Sequence, residues 1–424
     1  MILDAEAGVR SDGNYAQVEN LERADVQSDE SIARSGFNLR LSYELPRMLL
    51  ALGYSPSYEW VLDNGGVNGT THRLNLGLTG NVTRRLKLNV RERLVSSPNI
   101  DLYAPFDQPE TIAVTRRGDQ LSHALDVSAA QEITRRTSVL LGATHTLRTF
   151  ESGDLADTET LSGRAGLGFQ LAPDRRLDIT ATQGTYDFGD GRSSGDVGLR
   201  RLGRNGEADV QTLSLGWSQD FLREGQFRVE AGVFSVDSQR IVALGSDVEG
   251  QPLEEVRVEE EDTGWRGAVN LSRRLELFDW NLGYRHDVSA GAGFGRAVQV
   301  DNAFAGVSTR IGRSLTLGLD ANGSRHQDLS DEGTDPNDPL LQPERARLIE
   351  ALAGTARFNW HFSQVAALNG GYSYIKQDSQ VEPFEDLSYS RYFLGLALQL
   401  YRSGEEPRDP ADAGETDDDE PDAQ

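Results

Sequence analysis

The feature that most constrains this chain is an alternation of apolar and polar residues that recurs along nearly its whole length. Between Phe37 and Leu45 every second residue is apolar, and the residues between them are mostly polar or charged. A period of two places these sets on opposite faces of a β-strand. Runs such as 48–62 exceed the about 5–6 residues usual in soluble sheets. They suit tilted strands that cross a bilayer, which need about 9–11 residues.

Short and long connections alternate between the predicted strands. Eight are very short, such as 46–47, 273–274 and 312–313, and nine are longer and polar, such as 13–34, 239–262 and 327–347. The predicted strands between them include 137–150 and 298–311. Seventeen connections join eighteen strands, and bacterial outer-membrane barrels combine an even strand count with short periplasmic turns and long extracellular loops. We therefore predict an all-β fold over 1–402, a transmembrane antiparallel up-and-down β-barrel of eighteen strands with periplasmic termini. The alternation fails near Asp301, which weakens the prediction of the strand at 298–311. A barrel of sixteen strands is therefore the alternative.

Composition favours a barrel over soluble domains. No stretch approaches eighteen consecutive apolar residues, so the sequence offers no transmembrane helix. A mean hydropathy of −0.50 is compatible with a barrel, because a spanning strand presents only every second residue to lipid. Residues 1–4 lack the basic and apolar regions of a signal peptide, so we expect a mature or trimmed form. Segment 403–424 holds ten Asp or Glu and is predicted to be a disordered acidic periplasmic tail.

The aromatic residues indicate which strand face meets lipid. All five tryptophans fall on the apolar phase of their strands, and several tyrosines share it. Aromatic girdles of this kind lie at the lipid–water interfaces of membrane barrels. The predicted lipid-interface aromatics are Tyr54, Trp60, Trp217, Trp265, Trp280 and Trp360.

The opposite phase carries many ionisable groups, which a dry core could not hold without a large desolvation cost. They imply a lumen that holds water, as an eighteen-stranded barrel is wide enough to do. Two interpretations stay open: a charged constriction that orders a hydrated solute or polymer, or an ion-pair network that stiffens the wall. The predicted lumen-lining residues are Arg40, Glu59, Arg73, Lys87, Arg91, Arg93, Asp126, Arg148, Arg164, Arg228, Glu230, Arg266, Arg285, Arg310, Asp320 and Arg357.

Signatures of enzymes are missing from the sequence. It contains no Gly-x-Ser-x-Gly, no His-Glu-x-x-His and no Gly-rich phosphate loop. His123, His145 and His286 fall on the lipid phase, where polar residues are costly, so a barrel that hydrolyses lipids stays among the alternatives. Residues 328–338 lack the ligand spacing of a calcium loop. We therefore predict no enzyme activity, no catalytic residues, no metal and no cofactor.

Three segments carry a family resemblance: the first strand ending at 9–15, the hairpin over 42–59, and the Leu-rich last strand at 391–401. They resemble the outer-membrane β-barrel porins found beside exopolysaccharide-export and exosortase systems. The resemblance implies a channel that helps to move polysaccharide across the bacterial outer membrane. The implied partners are outer-membrane lipid, lipopolysaccharide and a periplasmic export protein, without nucleic acid. The alternatives are a general diffusion porin for small solutes and a structural barrel with a plugged lumen.

Overall fold

The computed structural model describes residues 2–16, 27–62, 68–101, 115–150, 157–189, 204–221, 224–246, 252–275, 277–289, 297–328, 348–379 and 387–402. These residues form eighteen β-strands. Within these ranges no helix is long and apolar enough to cross a membrane. The first nine strands are β1 (Ile2–Ala16), β2 (Gln27–Leu45), β3 (Met48–Val61), β4 (Gly69–Asn81), β5 (Leu86–Asp101), β6 (Thr115–Glu132), β7 (Thr137–Phe150), β8 (Thr158–Ala172) and β9 (Arg175–Phe188). The others are β10 (Arg204–Phe221), β11 (Gly225–Ser246), β12 (Pro252–Arg274), β13 (Phe278–Ser289), β14 (Val298–Ile311), β15 (Leu315–Asp328), β16 (Leu348–His361), β17 (Ala366–Ser379) and β18 (Leu387–Arg402).

The strands close into one ring. Every strand pairs antiparallel with its neighbours in the chain, and β1 also pairs with β18, where Val9 lies opposite Leu394. The fold is therefore a closed antiparallel barrel of eighteen strands, as predicted, and the sixteen-strand alternative is wrong. Strand β14 has the predicted bounds, and Asp301 stays in register between His286 and Arg325. The alternation fails at this point because the acidic side chain of Asp301 lies on the outer face. The strand itself is not interrupted.

Several predicted connections differ from the structure, mostly because strands extend into them; β2, for example, begins at Gln27, within the loop predicted at 13–34. The segment 239–262, predicted to be a long loop, is largely strand, because β11 continues to Ser246 and β12 begins at Pro252. The β-branched residues in this extension favour an extended backbone. The turn predicted at 273–274 lies at 275–277, because Arg273 and Arg274 pair with β13. Predictions that fall on 102–114, on 329–347, including the calcium-like segment, and on the tail 403–424 lie outside the described residues.

Contacts between strands that are not neighbours show which face lies inside. Arg164 on β8 donates a hydrogen bond of 3.1 Å to the carboxylate of Asp126 on β6. Arg266 on β12 likewise reaches the hydroxyl of Thr212 on β10 at 3.1 Å. Side chains of second-neighbour strands converge on the concave face of a curved sheet. The charged phase is therefore the inner wall, and the outer face exposes apolar residues such as Leu161, which is 60% exposed.

Candidate functional site

All sixteen residues predicted to line the lumen lie on the inner wall. Residues that lie directly opposite each other on paired strands share a face, so the pairing register identifies the inner residues of every strand. Arg40 lies opposite Gly53, Arg91 opposite Asp126, and Arg357 opposite Gly318. Their contact with a passing solute stays a prediction. The six predicted aromatics lie on the opposite, outer face, together with His123, His145 and His286.

The inner face of β2–β7, hereafter the basic sector, holds more cations than carboxylates among the side chains that the structure describes. In the part of the chain that the structure describes, four of these cations (Arg40, Lys87, Arg91 and Arg93) have no carboxylate within ion-pairing distance. The side chains of Arg40, Lys87 and Arg91 are exposed to the lumen. The cations are Arg34, Arg40, Arg73, Lys87, Arg91, Arg93 and Arg148, and the carboxylates are Glu44, Glu59, Asp126 and Glu132.

The register of β5 with β4 and β6 explains why three of these cations lack counter-charges. Alternation along 87–93 turns Lys87, Arg91 and Arg93 to the same face. Most of the inner residues opposite them are neutral: Arg93, for example, lies between Asn75 on β4 and Ala124 on β6. Arg91 does lie opposite Asp126, but that carboxylate accepts hydrogen bonds from Arg164 and from Thr144, at 3.1 and 3.0 Å. The basic sector therefore places positive charge on the inner wall of the barrel.

The inner face of β8–β17, hereafter the paired sector, joins most of its described cations to carboxylates; the exposed Arg310 on β14 is an exception, with no carboxylate within ion-pairing distance among the described residues. Its centre is Asp287, whose side chain is 12% exposed and whose Oδ2 lies 3.0 Å from Arg266 Nη2 and 2.6 Å from Arg285 Nη2. Arg266 also approaches Glu230 Oε1 at 3.4 Å. Further pairs are Arg176–Asp178 at 2.7 Å, Arg357–Asp320 at 3.2 Å and Arg274–Asp279 at 3.6 Å. This geometry is that of an ion-pair network that braces the wall.

Inward phenylalanines of the paired sector and of β18 pack over glycines on the neighbouring strand. Of the four inward phenylalanine rings on these strands, Phe188 belongs to an apolar cluster, and each of the other three lies directly opposite a glycine in the register. A Cβ atom on any of these glycines would overlap the ring. The rings therefore lie flat against the wall. The pairs are Phe234–Gly264, Phe304–Gly283 and Phe393–Gly371.

The inner wall is densely packed toward the end that carries the longer connections. Phe188, Val210 and Val236 are each at most 5% exposed and belong to one apolar cluster on β9–β11. On β15–β17 the side chains of His326 and Ile349 are at most 1% exposed. The inner wall of these strands is therefore more densely packed at this end than at the end with the short turns. Strands β1 and β6, which are not neighbours in the sheet, also come into contact.

The outer face also carries polar contacts between neighbouring strands. The hydroxyl of Tyr54 lies 2.9 Å from Nδ1 of His72, and the ring of Trp265 stacks on His286 with centroids 3.9 Å apart. His286 Nδ1 in turn lies 2.7 Å from Asp301 Oδ1. In the described ranges no group of three His, Asp or Glu side chains is arranged to hold a metal ion.

Neither a family model nor a curated protein matches this sequence. Several solved structures have a similar arrangement of strands. The unliganded ferric citrate transporter FecA is 11% identical, with 93% of this chain and 63% of FecA covered and a TM-score of 0.45. The ferric-catecholate import receptor Fiu of E. coli K12, in its open form, is 9% identical over 94% and 81%, with a TM-score of 0.45. OccK2 (OpdF) of Pseudomonas aeruginosa, in complex with glucuronate, is 11% identical over 94% and 98%, with a TM-score of 0.44. The chain thus spans less than two thirds of the length of FecA.

Proposed function

We propose that this barrel lies in the bacterial outer membrane and gives passage to a hydrophilic solute or polymer, with a preference for anions. The observation that carries the proposal is the basic sector, whose Arg91 and Arg93 lie on the inner wall without carboxylate partners among the described residues. The outer face supports the membrane location. A closed ring satisfies its backbone hydrogen bonds internally, and the exposed residues of that face are largely apolar.

The electrostatics of the wall explain the preference. A channel lined by one sign of charge raises the local concentration of the opposite ion, and low-dielectric walls strengthen the effect. Lys87 lies at the start of β5, near the short turns, while Arg91 and Arg93 follow farther along the same face. An anion that enters from the short-turn end therefore meets these cations one after another. It can leave one cation and bind the next.

An acidic polysaccharide is the polymer that best fits this surface. Guanidinium groups bind carboxylates through paired hydrogen bonds, and successive cations along one strand suit a repeating anionic chain. The sequence resemblance to barrels of exopolysaccharide export favours the same passenger, and a periplasmic export protein would then be the partner. A general diffusion porin for small anions would use the same wall, so the two functions differ in whether a polymer interacts with the lumen.

A structural barrel with a closed lumen is the second candidate. It is favoured by the dense inner packing of Phe188, Val236 and Ile349 and by the contact between β1 and β6. In this case the paired sector would brace the wall, and the basic sector would hold only counter-ions.

Single-channel recording in planar bilayers separates these functions. We expect steady conductance with chloride carried better than potassium, and transient blockade by an acidic oligosaccharide but not by a neutral one of equal length. The double variant R91Q/R93Q should weaken the blockade, because it removes two cations that have no structural partner. Blockade by neither oligosaccharide would leave the general porin, and a folded protein without conductance would favour the closed barrel.

A further inference from the structure

Four ionisable side chains form a row on the outer face of β5–β8. Nε2 of His123 lies 3.4 Å from Oε1 of Glu92, and Nε2 of His145 lies 2.9 Å from Oε1 of Glu159. The two imidazole centroids are 5.6 Å apart. The side chains are 21% to 53% exposed, so they face the surroundings of the barrel and not its interior.

The histidines of this row lie within the apolar band of the outer face. Along β6 the outer neighbours of His123 are Leu121 and Leu125, and along β7 His145 is followed by Leu147. On β8 the exposed Leu161 lies directly opposite His145. Ionisable groups surrounded by hydrocarbon are costly and in membrane proteins usually have a polar partner. Here Glu92 and Glu159 are those partners, and the result is a pair of polar contacts that lipid chains do not solvate.

The same part of the barrel lacks interfacial aromatics. The described outer residues of the six consecutive strands β4–β9 include no Trp or Tyr. Elsewhere on the described outer face, at most two neighbouring strands, β14 and β15, share this lack. Trp and Tyr mark the positions where a barrel meets the lipid interface. Their absence over six strands indicates a surface that lipid does not cover.

Small residues beside the histidines leave this surface flat. On the outer face Ala143 pairs with Gly163, and Ala165 pairs with Ala181. An added Cβ on Gly163 would meet no atom within 4 Å. Small side chains allow the backbones of two membrane proteins to approach closely.

We propose that the outer face of β4–β9 is the contact surface between two copies of this chain. The inference rests on the proposed membrane location and not on what crosses the lumen. A second copy presents the same histidines at the same depth in the membrane. A two-fold axis along the membrane normal, between β6 and β7, would place His123 opposite the partner's His145, so that the contact is self-complementary.

The chemistry of the surface suits a second copy. Each imidazole directs Nε2 at a carboxylate of its own chain, and its Nδ1 has no partner among the described residues. A ring nitrogen can donate or accept according to its tautomer, so two such nitrogens can pair directly or through water. Because the wall of a closed ring is convex, the direct contact involves the strands nearest the two-fold axis, β6 and β7, which carry both histidines.

Disulfide trapping tests the proposal, because the chain contains no cysteine. Ala143 and Ala231 are both exposed on the outer face, each six residues after the first residue of its strand, but Ala231 lies on β11, outside the proposed surface. After oxidation of protein reconstituted in lipid vesicles, we expect a disulfide-linked dimer from A143C and only monomer from A231C. Equal yields from the two variants would overturn the proposal.

A separate measurement tests the membrane location. All five tryptophans lie on the outer face beyond β4–β9, so lipids brominated in their acyl chains should quench their fluorescence. Failure of quenching would overturn the membrane location, whereas quenching without trapping of A143C would overturn only the interface.

The histidines themselves are tested by H123L/H145L, which keeps the outer face apolar and so favours folding. Native mass spectrometry from detergent should show dimer for the original chain and mainly monomer for this variant. H361L, a change of the same kind at an exposed site on β16 beside a short turn, should stay dimeric. A double variant that stays fully dimeric would overturn the proposed histidine contact.

Discussion

The basic sector on β2–β7 and the paired sector on β8–β17 use the same residue types on the same inner wall, yet their arginines have different surroundings. Arg266 and Arg285 meet at Asp287, whose side chain is 12% exposed. Arg93 lies between a neutral asparagine and an alanine. The comparison teaches that the residues opposite in the register decide whether an inward arginine braces the wall or faces the lumen water.

The two surroundings have different energetic consequences. Removal of one partner from a partly buried ion pair leaves an uncompensated charge, which is strongly destabilising. Removal of an unpaired, water-facing cation sacrifices little folding energy but changes the field in the lumen. We therefore expect folding stability to depend mainly on the paired sector and ion selectivity mainly on the basic sector.

The largest effect is expected from D287A in the paired sector. The substitution leaves Arg266 and Arg285 facing each other without their shared carboxylate, so the free energy of unfolding should fall by about 3 kcal/mol. Urea unfolding in detergent, followed by tryptophan fluorescence, measures this change. R91A in the basic sector is the control and should stay within about 0.5 kcal/mol of the original chain. Equal losses for both variants would remove the distinction between the sectors.

A smaller loss of stability is expected from G283V, which tests the packing of Phe304 against the wall. The added side chain overlaps the ring, so the free energy of unfolding should fall by about 2 kcal/mol. Gly354 faces outward with open space around the position of a Cβ atom, so G354V should cost no packing energy. The same urea series compares the two variants. A loss confined to G354V would contradict the packing described for the paired sector.

Selectivity should respond to R91Q/R93Q in the basic sector. We expect the chloride-to-potassium permeability ratio to fall on the order of tenfold, because charges on a channel wall can change local ion concentrations by this factor or more. Reversal potentials under a potassium chloride gradient provide the ratio. The control D320N/R357Q removes a cation and a carboxylate together and should leave the ratio unchanged. An equal shift in both double variants would show that selectivity does not arise in the basic sector.

The smallest effect is expected from salt. Between 0.1 M and 1 M salt the screening length falls from about 10 Å to about 3 Å. Cations exposed to the lumen should lose part of their influence, so the anion preference of the original chain should weaken, though less than in R91Q/R93Q. The partly buried pairs of the paired sector are screened less, and the urea midpoint should change little. A preference independent of salt would indicate that shape, and not charge, selects the ion.

The strands could be predicted closely because, in this barrel, strands that are neighbours in the sequence are also neighbours in the sheet. Each strand pairs with its neighbours in sequence, so alternation and short turns define the ring, and β7 and β14 have the predicted bounds. The upper parts of β11 and β12 could not be predicted in this way. Polar residues occur on both faces of that hairpin, for example at 259–262, and alternation then provides no signal.

The candidate site could be predicted only in part. The alternation within a strand predicts that Arg91 and Arg164 face inward. The pairing of β5 and β8 with their neighbours places both residues on the inner wall. Their partners depend on two quantities that one strand does not contain: the register of its neighbours and the curvature of the ring. Arg164 reaches Asp126 across an intervening strand, and this contact leaves Arg91 without a carboxylate. No pattern within β5 predicts that outcome.

The pairing of β1 with β18 has a consequence for how the protein acquires its structure. Val9 and Leu394 are adjacent in the ring but separated by almost the entire chain. Contacts of such long range form slowly, and until they form both edge strands expose unpaired backbone groups on which other chains can assemble. Loss of β18 would therefore open the ring and leave two such edges on the remaining sheet. Productive folding requires that β1 be protected from foreign strands until the last strand arrives.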